Sequence, residues 1–176
     1  MINPNPQKGI AILIAVIAVS AMLLIALAIS DISFKEQVLT FFGRDSKSAF
    51  YAANSGIECA LFHDFGGGSD GAFFFPTSTT SIIPPSVFCA AGARPISVST
   101  NGGGTITTSS FYFNIDSQPS SCSIVRVTKT IGANGINTVI ESRGYNNTCD
   151  TNSSPASPTL SSNSKRNLER ALRMTY

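Results

Sequence analysis

An α+β fold is predicted for this chain: a long N-terminal helix packed on a C-terminal antiparallel sheet. Three observations predict it. No charge occurs from Gly9 to Ser30, where Ile, Leu, Val and Ala dominate. A helical pattern continues beyond that run, with no proline between Gln7 and Phe75. In the second half, short alternating apolar segments are separated by clusters of Gly, Asn and Pro. The 176 residues give room for one domain with a real core. A net charge of +2, with 12% charged residues, is no profile for binding nucleic acid, which would show clustered Lys and Arg.

The apolar run comes first. A bilayer core of about 30 Å takes roughly 20 apolar residues in helical form, and Ile10 to Ile29 supplies them. A body this small could hardly surround a helix that is apolar on every face, so insertion into a lipid bilayer is expected. The α-amine and Lys8 precede the run, with no acid among residues 1–8. Asp31, Lys35 and Glu36 follow it. This asymmetry places the N-terminus in the cytoplasm and the remainder outside, as a single pass. A secretory signal peptide would have a shorter apolar region and a small-residue cleavage site before the mature domain.

The amphipathic continuation is next. Leu39, Phe42, Ser46, Ala49, Ala53, Ile57 and Ala60 recur at steps of three and four, with Lys35, Arg44, Lys47 and Glu58 mostly off that stripe. Gly43 and Gly56 each weaken a helix by about 1 kcal/mol relative to Ala without breaking the pattern. Gly66-Gly67-Gly68 ends it. The expected organisation is 1–9, 10–30 as the membrane helix, 31–65 as its amphipathic continuation, and 66–176 as a β-rich body.

At this point the chain resembles a known family. Gln7-Lys8-Gly9 followed by Ile10-Ala11-Ile12-Leu13-Ile14 looks like a type IV prepilin leader and its processing site. The stretch Ser48 to Glu58 is similar to the helix of PilX-type minor pilins, and Arg166 to Tyr176 resembles their last strand. The resemblance implies cleavage between Gly9 and Ile10 by a prepilin peptidase, and methylation of the new N-terminus at Ile10. It also implies packing against other pilin subunits through the N-terminal helix, and handling by an inner-membrane pilus assembly platform. The location implied is the bacterial inner membrane, then the pilus at the cell surface. Major pilins usually carry a glutamate at the fifth mature position, which pairs with a neighbour's N-terminal amine. Here that position is Ile14, so the resemblance points to a minor subunit or pseudopilin. A lone carboxylate in lipid costs several kcal/mol and is kept only for a purpose. The alternative is a single-pass anchored surface binding protein, adhesin-like and independent of pilus machinery.

In the body, Ala72-Phe73-Phe74-Phe75-Pro76 reads as partly core. Strands are expected at 95–100, 111–115, 123–131 and 138–143. Turn clusters lie at Asn101 to Gly104, Gln118 to Ser120 and Ala133 to Gly135. Val125, Val127 and Ile131 form one face of the third strand, with Arg126, Thr128 and Thr130 opposite. The alternation of Leu168, Leu172, Met174 and Tyr176 suits a strand, although Ser164 as an N-cap and Glu169 four before Arg173 would suit a helix. The family resemblance decides for strand. Residues 151–163 read as a surface loop.

Cys59, Cys89, Cys122 and Cys149 form no CxxC pair. Their even number behind a membrane-targeting segment suits an oxidising compartment and disulfides. Three pairings are open; the strand-rich half that holds both Cys122 and Cys149 favours joining those two. His63, four residues after Cys59, shares its helix face, but no second nearby pair completes a zinc set. Asp64, Asp70, Asp116 and Asp150 are scattered and read as solvated. With one histidine, no G-x-S-x-G and no phosphate-loop lysine, neither an enzyme nor a cofactor site is expected.

Overall fold

A computed structural model describes residues 7–66, 74–77, 86–90, 92–115, 121–133, 135–150, 152, 154–161 and 167–176. Gly67, Gly68, Asp70, Phe73, Asp116, the turn at Gln118 to Ser120, Asn134 and the proposed cap at Ser164 lie outside the described residues, as do residues 1–6 of the expected leader. The chain divides into two units, Met1–Gly43 and Arg44–Tyr176.

One helix, α1 (Gln7–Gly66), runs through both units. Its continuity follows from the lack of proline and from a composition rich in Ala and Leu. In the first unit it is the only described element, and its large apolar side chains from Ile10 to Phe42 are exposed except for the half-buried Val38.

The second unit is α+β. Two short strands, β1 (Ser86–Cys89) and β2 (Gly92–Pro95), pair antiparallel. Five more form a meander: β3 (Ser97–Asn101), β4 (Ile106–Ile115), β5 (Ser121–Gly132), β6 (Gly135–Tyr145) and β7 (Glu169–Thr175). Their spatial order is their chain order, and every pairing is antiparallel. The expected strands at 111–115, 123–131 and 138–143 lie inside β4, β5 and β6. The one expected at 95–100 is split by Ile96 between β2 and β3. The segment near Tyr176 is a strand. Between β3 and β4 the chain turns on Gly102, Gly103 and Gly104, whose φ values of 64°, 67° and 94° lie where side chains are strained.

The sheet's inner face meets the end of α1. Phe111, Phe113, Val125, Val127 and Ile140 pack with Ala60, Phe75 and Val87 in the main core. Phe75 stacks on Phe111 at 5.8 Å, so the triple-phenylalanine run supplies core, as expected. A smaller cluster of Tyr112, Cys122 and Cys149, joined by Ile124 and Leu160, covers the sheet elsewhere.

Two departures from the expected pattern follow from where the helix and the turns lie on the sheet. Leu39 and Phe42 of the predicted stripe are exposed, because the sheet takes up the helix only from about Ala49 onward. Ile131, expected on the apolar face of β5, is 45% exposed, because it sits beside the β5–β6 turn. Lys129 occupies that buried face instead.

Candidate functional site

The first feature is the N-terminal part of α1. Ile10, Ile12, Leu13, Ile14, Val16, Ile17 and their successors to Ile29 are exposed around the whole circumference. Lys8 and Gly9 lie within the helix, and the fifth residue after Gly9 is the exposed Ile14. The helix is long and apolar enough to cross a membrane. Small residues Ala11, Ala15, Ala18 and Ala21 punctuate the bulky ones and are exposed as well.

The second feature is the seat of α1 on the sheet. Ala49, Ala52, Ala53 and Ala60 are fully buried there. Across from them stands Gly144 of β6, where an added Cβ would overlap the Ala49 carbonyl oxygen and the Ala53 nitrogen. Gly56 does the converse: an added Cβ would overlap the hydroxyls of Ser123 and Ser142. Those hydroxyls bond each other across β5 and β6 at 3.1 Å. Helix backbone and sheet backbone thus approach with almost nothing between them. The predicted stripe named Ala49, Ala53 and Ala60 but missed Ala52, Gly144 and the role of Gly56. A signal existed in the Ala52-Ala53 pair and in Gly144 near the end of β6, since a glycine inside a strand marks close backbone approach.

A buried polar junction closes the seat. Asp64, expected to be solvated, is instead enclosed at the end of α1, where its Oδ1 accepts from Lys129 Nζ of β5 at 2.7 Å; the side chains are 0% and 1% exposed. The correction has a plain reason: Asp64 is one turn beyond Ala60 and shares its buried face. Its other oxygen accepts from the Tyr176 hydroxyl at 2.6 Å. Tyr176 itself exchanges backbone hydrogen bonds with Thr138, at 2.8 and 3.0 Å. Burial pushes the Lys129 pKa down, partly offset by the Asp64 hydrogen bond and charge. Burial, then the Asp64 hydrogen bond, pushes the Tyr176 hydroxyl up.

All four cysteines are bridged, Cys59 to Cys89 and Cys122 to Cys149. The favoured pair is therefore formed, and Cys59–Cys89 ties α1 to β1. His63 lies beside this second bridge, 8% exposed, with Nε2 2.9 Å from the Phe88 carbonyl oxygen. The sheet's outer face bears a shallow cavity of about 300 Å³ at Arg126, Glu141, Arg143 and Tyr145. Arg143 is tied to Glu141 at 2.8 Å and to Glu169 at 3.6 Å, so opposite charges offset each other there. Asp150 is exposed.

Comparison with protein-family models, curated proteins and solved structures finds no match to this chain.

Proposed function

We propose that this protein is a minor type IV pilin or pseudopilin, a structural subunit of a pilus or secretion pseudopilus rather than an enzyme. One observation carries the reading: a single unbroken helix is bare and apolar through Ile10–Ile29 and seated on a sheet by its other end. Such a helix needs two successive environments that the chain itself does not supply, lipid before assembly and neighbouring helices after it. The sequence Lys8-Gly9-Ile10, which resembles a prepilin processing site, supports the same reading. Cleavage falls between Gly9 and Ile10, and Ile10 becomes the methylated N-terminus. The subunit waits in the bacterial inner membrane, N-terminus in the cytoplasm and sheet outside, until an assembly platform lifts it into the fibre. Without the hydrophobic effect to drive association within lipid, contact between helices rests on packing, for which Ala11, Ala15, Ala18 and Ala21 leave room. Ile14 puts no carboxylate in the bilayer, which favours a minor rather than a major subunit.

Mass spectrometry of the membrane-extracted protein, expressed beside a prepilin peptidase, tests this reading. A chain starting at Ile10, N-methylated, is the expected result. A chain still starting at Met1 would overturn it in favour of a single-pass anchored surface binding protein.

A further inference from the structure

We propose that Cys59, His63 and Cys89 form a redox-gated binding site for a zinc-class divalent cation, open when the Cys59–Cys89 disulfide is reduced. The two sulfurs and a ring nitrogen of His63 all lie within 4.8 Å of one another. Two elements bring them together. Cys59 and His63 stand one turn apart on the same face of α1, and Cys89 is the last residue of β1. The sequence spacing alone offers two ligands; the strand supplies the third.

The geometry suits a metal as well as a disulfide. In a tetrahedral site with zinc–sulfur bonds of about 2.3 Å, two sulfurs stand roughly 3.8 Å apart. Side-chain rotation at Cys59 and Cys89, whose Cα atoms are 5.9 Å apart, reaches that separation without moving the backbone. His63 is held in place by the Phe88 carbonyl oxygen, 2.9 Å from Nε2. Ligating histidines use such an outer carbonyl to fix the ring and the tautomer, and the ring nitrogen that this one does not occupy is Nδ1. Two thiolates and an imidazole prefer zinc, cobalt or cadmium over magnesium or calcium, and three protein ligands leave one coordination position for water.

The chemistry balances with a dithiol as reductant. The dithiol gives two electrons to the Cys59–Cys89 bond and closes to its own cyclic disulfide, leaving two cysteine thiols. On cation binding each thiol releases its proton to solvent, and two sulfur–metal bonds and one nitrogen–metal bond form. A cyclic disulfide, taking two electrons from the two thiolates and two protons from solvent to become a dithiol, restores the Cys59–Cys89 bond, and the ion, stripped of both sulfur ligands, leaves.

The full-length protein in detergent, reduced with a dithiol and freed of it under argon, would be titrated with Co²⁺. One ion per chain is expected, with tetrahedral d–d absorption and thiolate charge transfer, displaced by zinc and absent from the oxidised protein. Because outer-partner changes alone weaken metal sites by about 10–100-fold, His63→Ala and His63→Gln should each weaken binding by at least that much. A Cys122→Ser/Cys149→Ser variant should bind as the parent does. Failure of the reduced protein to take up cobalt would overturn the proposal. So would uptake that neither His63 variant changes, since the ion then does not use His63, or uptake that the Cys122→Ser/Cys149→Ser variant abolishes, since that places it on the other bridge. Thermal melting of the oxidised His63 variants identifies which of the two folds and so serves as the comparison.

Discussion

The two parts of helix α1 differ most in the size of what they present. From Ile10 to Gly43 the helix shows bulky aliphatic and aromatic side chains, with Leu24 69% and Leu39 73% exposed. From Arg44 to Gly66 the buried positions are Ala49, Ala52, Ala53, Gly56 and Ala60, all small, followed by His63 and Asp64. A helix that finds its partner within its own chain can afford close approach, so small residues and Gly144 bring backbone to backbone. A helix that finds no partner there carries its apolar surface outward. The contrast separates a contact settled at folding from one left for the surroundings.

The sharpest way to break that comparison is to cut between the parts. Residues 44–176 alone should remain folded and soluble, whereas the full chain should require lipid or detergent. With about −0.3 to −0.6 kcal/mol for each Leu, Ile or Val, the twelve such residues from Ile10 to Ile29 favour membrane insertion by roughly 4–7 kcal/mol. Partition of both forms between vesicles and buffer measures this. Aggregation of 44–176 would mean that the seated part depends on the bare one.

Next in size is Asp64→Ala, which leaves Lys129 buried without its carboxylate. The loss should be about 3–5 kcal/mol in chemical denaturation. Replacing both members by apolar residues of similar volume should cost far less, which distinguishes a stranded charge from lost packing. Loss of the Cys122–Cys149 bridge, with a sequence separation of 27, should follow at roughly 3–4 kcal/mol. Gly144→Ala should cost about 1–3 kcal/mol, because the new methyl meets backbone that cannot move aside freely. Gly43→Ala, with open space around it in the bare part, should be neutral or slightly stabilising.

The smallest effect is one of pH. The Tyr145 hydroxyl, which donates to Glu169 at 2.8 Å, is pushed up from 10.0 to about 12, first by burial and then by that hydrogen bond. The native state therefore holds its proton where the unfolded chain has lost it. Its contribution is complete below pH 10 and disappears as pH rises through about 12. Tyr176 acts with the same sign. Lys129 acts with the opposite one: its native value lies below 10.5, so its burial costs less as pH rises toward that value. Denaturation midpoints of Tyr145→Phe and the parent, compared from about one pH unit below the free tyrosine value to about two above it, should converge as pH rises.

Periodicity made α1 and the meander legible, since an uninterrupted 3.6-residue pattern and a two-residue alternation each need only neighbouring residues. Strands β4 and β5 came out longer than expected because Thr107, Ser109 and Ser121 are polar yet buried, and alternation of apolar residues does not register them. β1 escaped for a similar reason: Ser86–Cys89 is four residues long and pairs only with β2. The Lys129–Asp64–Tyr176 junction was illegible. Its members are 65 and 112 residues apart, and in sequence a charged residue on a strand is indistinguishable from a solvated one. The third ligand beside Cys59 and His63 was hidden likewise, because Cys89 reaches them only through the packing of β1 against α1.

That junction also imposes an order in time. Asp64 leaves the ribosome long before the Tyr176 hydroxyl that will cap it, and at about 5–20 residues per second the interval is roughly 6–20 s. Through that interval the carboxylate at the far end of α1 has no β7 to meet. Until β7 docks, the Asp64 carboxylate lacks the Tyr176 hydroxyl, so Tyr176→Phe should lower stability by about 1–3 kcal/mol in chemical denaturation.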